Sequence, residues 1–100
     1  MAQSTLDHYL RLLRGHEGEL RARGIASVAI FGSIARGDAT EFSDLDVLIE
    51  LDPDARFGFS YFSLPKYFEG ILGVRTDVVS RQAIKPYIRD RILSDAVVAF

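Results

Sequence analysis

Asp44 and Asp46 stand one residue apart at the head of the apolar run Val47-Leu48-Ile49. Extended backbone sends side chains i and i+2 to the same side, so both carboxylates project together while Leu45 and Val47 face the other way. Adjacent carboxylates repel each other, and a chain that needed only stability would avoid the pairing. A divalent cation between them removes the repulsion. Paired hard oxygen donors suit Mg²⁺, which takes one or two protein carboxylates and fills its other positions with water and substrate phosphate.

Upstream, Gly32-Ser33 follows the apolar run Val28-Ala29-Ile30-Phe31. A glycine there lets a bound group approach the backbone closely. Ser33 stands where a short helix can begin, and the free N–H groups and positive dipole end of a helix start suit an anion. Ser33 adds a hydroxyl donor and Arg36 a planar cation matched to phosphate oxygens. One end of the stretch can thus hold phosphates and the other the metal that bridges to them. A Gly-Ser turn or an Asp-x-Asp pair alone is common, and the latter is more often a solvated strand edge or helix cap. Both together, in this order and with Arg36 between, are far more specific.

Gly32-Ser33-x-x-Arg36-Gly37 followed by Ser43-Asp44-x-Asp46 resembles the signature of the DNA polymerase β-like nucleotidyltransferase superfamily. At 100 residues the chain resembles the smallest branch, the MNT-type minimal nucleotidyltransferases, found as antitoxins paired with HEPN-domain toxins. The likeness covers nearly the whole chain, including the ending Lys85-Pro86-Tyr87-Ile88-Arg89-Asp90-Arg91-Ile92-Leu93. It implies an α+β nucleotidyltransferase fold, with a small mixed sheet of about four strands flanked by helices. Gly32, Ser33, Arg36 and Ser43 would bind the nucleotide, and Asp44 and Asp46 the metal. Asp77 becomes the third catalytic, metal-binding carboxylate, because the superfamily places such a residue on a neighbouring strand. The implied cofactor is Mg²⁺, as a pair of ions, with ATP as substrate. The implied reaction is AMPylation: AMP moves to a Tyr hydroxyl of a partner HEPN-domain ribonuclease toxin, which is thereby neutralised.

The elements that must position these residues follow from the pattern. One hundred residues is one domain, read here as 1–100. The chain is 48% hydrophobic and 26% charged, with net charge −2. No basic excess supports direct binding of nucleic acid. Cysteine is absent, which excludes disulfides and thiolate metal sites. No segment has the length of an apolar membrane span and the N-terminus shows no signal core, so a cytoplasmic location with no membrane partner is expected.

Leu6, Tyr9, Leu10, Leu13 and Leu20 recur at helical spacing, which predicts a helix over Thr5–Arg23, capped by Ser4 and stopped by Gly24. His8 and His16 on it read as surface or boundary residues rather than ligands. Ala26–Phe31 reads as a strand covered on both faces. The loop from Gly37 to Ser43 carries Asp38 and Glu41, expected in solvent. A second strand runs from Asp44 to Leu51, with Glu50 at its rim, and Asp52-Pro53-Asp54 ends it. Ser60 or Ser63 can cap a helix running to Leu72, with Pro65 in its first turn and Phe62, Phe68, Ile71 and Leu72 inward. The aromatic concentration over Phe57–Phe68 fits either a core edge or a partner interface.

Val74–Val79 reads as a third strand, with Val74, Thr76 and Val78 on one face and Arg75, Asp77 and Val79 on the other. A carboxylate in an apolar strand is costly unless paired or metal-bound, so from the residues alone Asp77 is open to an Arg75 salt bridge, a strand-end position or a metal. Arg81–Ser94 is expected to be helical with a break before Pro86, turning Ile84, Ile88, Ile92 and Leu93 inward. Ala96–Phe100 is a final short strand. Two rival functions share these features. A small-molecule nucleotidyltransferase would normally carry a helical acceptor domain, which has no counterpart here. A non-catalytic toxin-docking subunit would use the Phe57–Phe68 region, although the presence of all three carboxylates argues against a dead site.

Overall fold

The computed structural model describes residues 5–54 and 63–100. Strands β1 (Ile25–Phe31), β2 (Leu45–Leu51), β3 (Thr76–Ser80) and β4 (Val97–Val98) form one sheet in the order β3-β2-β1-β4. β1 runs antiparallel to β2 and β4, and β2 runs parallel to β3, so the sheet is mixed as expected. Helices α1 (Thr5–Gly15), α2 (Glu17–Ala22), α3 (Gly32–Arg36), α4 (Leu64–Leu72) and α5 (Pro86–Asp95) flank it, with a single 3₁₀ turn at Arg81–Ala83.

Strand alternation divides the apolar residues between two faces. Val28 and Ile30 of β1 join Leu45, Val47 and Ile49 of β2 in the larger core, closed by Leu10 and Leu13 of α1, Leu20 of α2 and Phe68 of α4. On the other face Ala29 and Leu48 meet Ile84, with Phe31, Val79, Ile92 and Leu93 partly buried around them. This second layer is thin, and the acidic residues lie at its end.

The N-terminal helix is two helices rather than one. Gly15 is a poor helix former, and His16 leaves helical geometry at φ −108°, ψ 14°. Its backbone N–H donates to Leu13 O at 3.1 Å, and its ring Nδ1 lies 2.8 Å from Leu12 O, which fixes the corner. His16 is therefore a half-buried boundary residue, as its spacing suggested. Gly24 does follow the second helix with positive φ. Ser4, the expected cap, lies outside the described residues.

α4 begins after Ser63, carries Pro65 in its first turn and ends at Gly73 in the left-handed conformation. Phe68 is fully buried, while Tyr67 is half-buried with the Arg23 guanidinium 3.8 Å over its ring. Phe57, Phe59, Ser60, Tyr61 and Phe62 lie outside the described residues, so the sequence reading of that cluster stands as an expectation.

β3 starts at Thr76, two residues later than the pattern suggested. Val74 is exposed, although Arg75 O still accepts a hydrogen bond from Leu45 N at 3.0 Å and carries the β2–β3 pairing outward. The expected inward stripe of α5 is also corrected. Ile84 is buried and Ile92 and Leu93 are half-buried, but Ile88 is 38% exposed. α5 lies across only part of the second face, and Ile88 overhangs a cavity instead of the core. β4 pairs with β1 through Ile30–Val97 and Ala29–Val98, completing the sheet.

Candidate active site

β1 passes directly into α3. Gly32, the first residue of α3, has φ +76°. A Cβ built on Gly32 would overlap Asp46 Oδ2 and stand only 3.1 Å from Asp46 Cγ. The close approach that a glycine permits here is made by a carboxylate of the chain itself. β1, α3 and β2 are locked at this point, because Phe31 and Asp46 are antiparallel partners.

β3 brings the next acid. Asp46 and Asp77 stand opposite each other in the parallel β2–β3 ladder, so their side chains share a face, together with Leu48 and Val79 two positions on. Asp46 is half-buried and Asp77 exposed. Asp44 is half-buried in the lead-in to β2 rather than inside the strand. Burial pushes the Asp46 carboxyl above the usual carboxylate range, and the negative charges of Asp77 and then Asp44 push it further; Arg36 pulls the other way. Among the described residues none of the three acids makes a hydrogen bond or ion pair with a protein group, and Arg75 does not pair with Asp77.

The donor set is therefore all oxygen, hard and uncompensated in charge, which fits Mg²⁺. Among the described residues, however, no three His, Cys, Asp or Glu side chains are gathered closely enough to hold a metal ion as they stand. Asp46 and Asp77 are in register, and Asp44 reaches Asp46 through its field.

The residues expected to hold phosphate are arranged differently. The Ser33 hydroxyl, half-buried in α3, has no protein partner among the described residues. Arg36 donates from Nε to Asp38 at 3.2 Å and from Nη1 to Asp95, the last residue of α5, at 2.7 Å. These two carboxylates, Asp95 first, raise the guanidinium pKa further. Ser43 Oγ accepts from Thr40 N at 3.0 Å and so ties the loop that delivers Asp44. Arg36 and Ser43 line a cavity of about 620 Å³ between α1 and the loop after α3. Asp46 and Asp77 line another, of about 660 Å³, walled by Phe31, Ile84 and Ile88 and edged by Lys85 and Tyr87. Among the described residues, Arg36 and Ser43 thus line one cavity and Asp46 and Asp77 another.

Asp95, Lys85 and Tyr87 were not singled out by sequence reasoning. Lys85 and Tyr87 entered the sequence reading only as part of the ending that carries the family likeness, and Tyr87 is otherwise an aromatic in the first turn of a helix whose apolar stripe does not include it.

Residues 13–99 match the model of the nucleotidyltransferase domain. The chain belongs to this family. It is a nucleotidyltransferase of the minimal, MNT type, and relatives match it over almost their whole length. The protein adenylyltransferase MntA of Thermococcus cleftensis is 35% identical, over 97% of this chain and 98% of its own. A solved structure of a candidate minimal nucleotidyltransferase superposes with TM-score 0.72 at 35% identity, covering 90% of this chain and 92% of the other. The MNT antitoxin solved in complex with a tri-AMPylated HEPN toxin of Shewanella oneidensis superposes with TM-score 0.62, covering 91% of this chain and 71% of the other. At 14% identity that last likeness is one of fold alone. The mixed four-stranded sheet with flanking helices is the nucleotidyltransferase fold.

Proposed function

We propose that this nucleotidyltransferase moves AMP from ATP to a Tyr hydroxyl of a partner HEPN-domain ribonuclease toxin and acts as its antitoxin. The names of similar proteins support the reading: one relative is a protein adenylyltransferase, and a neighbour in fold is an antitoxin in complex with an AMPylated HEPN toxin. The single observation that carries the chemistry is the register of Asp46 against Asp77, with the Asp46 carboxyl raised by burial, Asp77 and Asp44.

Asp44, Asp46 and Asp77 are the proposed metal ligands. Bound Mg²⁺ would neutralise phosphate charge and stabilise the attacking and leaving oxygens of an in-line displacement. The chain's own groups do the rest. Ser33 donates its free hydroxyl to a phosphate oxygen. Arg36 exchanges one of its two carboxylate partners for phosphate. Ser43 steadies the approach to Asp44 from the loop beside the nucleotide. Asp77, the most exposed of the acids, faces the acceptor, orients its hydroxyl and helps take its proton. The acceptor oxygen bonds to the α-phosphorus as the bond to the β-phosphate breaks, and pyrophosphate leaves.

The test is incubation of the chain with labelled ATP, Mg²⁺ and a candidate HEPN-domain partner protein, against the Asp44→Asn variant. Label on the HEPN protein with wild type only is the expected result. Tight association without label in either sample would replace the enzyme with a docking subunit.

A further inference from the structure

The cavity beside Asp46 and Asp77 carries hydroxyl side chains of the chain's own. Among the described residues two hydroxyl side chains line it, Thr76 and Tyr87. Thr76 is nearly fully buried, and its hydroxyl donates to Val74 O at 3.0 Å. Tyr87 is 79% exposed, and among the described residues its phenol has no hydrogen-bond partner. Pro86 ahead of it fixes the entry into α5, so the ring is carried on a defined first turn rather than a loop. Lys85, also on the lining, brings a positive charge to the cavity. A free phenol, a cation and two register-matched carboxylates therefore meet in one concavity.

We infer that Tyr87 is a modification site: the chain transfers AMP to its own Tyr87 within one molecule. The inference rests on the adenylyltransferase reading above. The Tyr87 oxygen bonds to the α-phosphorus of ATP, the bond from that phosphorus to the β-phosphate oxygen breaks, and pyrophosphate leaves with the electron pair. The phenol proton passes to Asp77 and on to solvent. The product sets a phosphodiester anion beside Asp46 and Asp77 and fills the cavity, so modification at Tyr87 would limit further turnover.

The experiment incubates the full chain alone with Mg²⁺ and ATP labelled in its α-phosphate, then maps the label by peptide mass spectrometry. The expected result is one AMP per chain on Tyr87, a labelled fraction per unit time unchanged on dilution, and loss of label in Tyr87→Phe. Label mapped to another residue, or a rate that rises with chain concentration, overturns the inference. A parallel arm adds the candidate HEPN-domain partner. Wild-type chain that labels the HEPN protein but never itself overturns self-modification and leaves the proposed function standing, whereas label on neither overturns both. A readout without turnover is the ring NMR signal of Tyr87 during titration with AMP-PNP. A shift is expected, and an unmoved signal at saturating nucleotide overturns the inference.

Discussion

Gly32 and Asp46 occupy one another's space: the Asp46 carboxylate rests where any side chain at position 32 would begin. The glycine has positive φ, so both backbone and contact require it. It seats the central acid of the site as well as opening the anion turn.

Gly32→Ala therefore strains the backbone and displaces Asp46 together. Left-handed geometry at a residue with Cβ costs about 1–2 kcal/mol, which denaturant unfolding would read. Nucleotidyl transfer falls further than folding does, on the order of 100-fold, because a carboxylate moved by about 1 Å no longer meets its reacting partners. Parallel unfolding and labelled-ATP assays check both, and unchanged transfer would show that Asp46 need not sit where it does.

Asp46→Asn raises thermal stability near neutral pH when divalent ions are absent. The folded-state pKa of Asp46 lies above its unfolded value, through burial first and then Asp77 and Asp44. Its stabilising contribution is thus fully present below the unfolded carboxyl pKa, about 3.9, and is lost as pH rises through the folded value. The advantage of the Asn variant should shrink as pH falls toward that range. Added Mg²⁺ should raise the wild-type melting temperature and leave the variant nearly unmoved. Melting curves at several pH values, with and without Mg²⁺, supply the measurement.

Asp77→Asn separates chemistry from nucleotide binding. The side chain is exposed and, among the described residues, makes no hydrogen bond or ion pair that would fail with it. Turnover should drop by about 10²–10⁴-fold, the range of a lost general base, while AMP-PNP affinity changes little. Equal losses in both would make Asp77 a nucleotide ligand only.

The facing of Asp46 was legible in the sequence because it obeys a local rule, whereas Asp77 was singled out only by the family resemblance and Asp44 falls just ahead of the strand. Period-two alternation set Asp46 with Leu48 against Val47 and Ile49, and Gly32-Ser33 marked the strand-to-helix turn. Most of what escaped was set by distant partners. Arg36 looks like a free phosphate fork in the sequence, yet it is held by Asp95, 59 residues on. Ile88 fits an inward stripe by spacing, but α5 does not cover enough of the sheet to bury it. The break at His16 came from a Gly15 that helical periodicity alone could not weigh against its leucines.

The Arg36–Asp95 contact yields its own prediction. Asp95→Asn releases one arm of the guanidinium, and AMP-PNP should then bind more tightly as Arg36 turns to phosphate without giving up a charged partner. Isothermal titration of wild type and variant reads the change. Weaker binding in the variant would mean that Asp95 holds Arg36 in its nucleotide-ready position.

A complex with Mn²⁺ and AMP-PNP, examined by anomalous scattering, locates the metal itself. The account predicts a peak shared by the Asp46 and Asp77 carboxylates, with Asp44 drawn toward it. Ordered nucleotide with the metal bound elsewhere, and those two acids left without a cation, would contradict it.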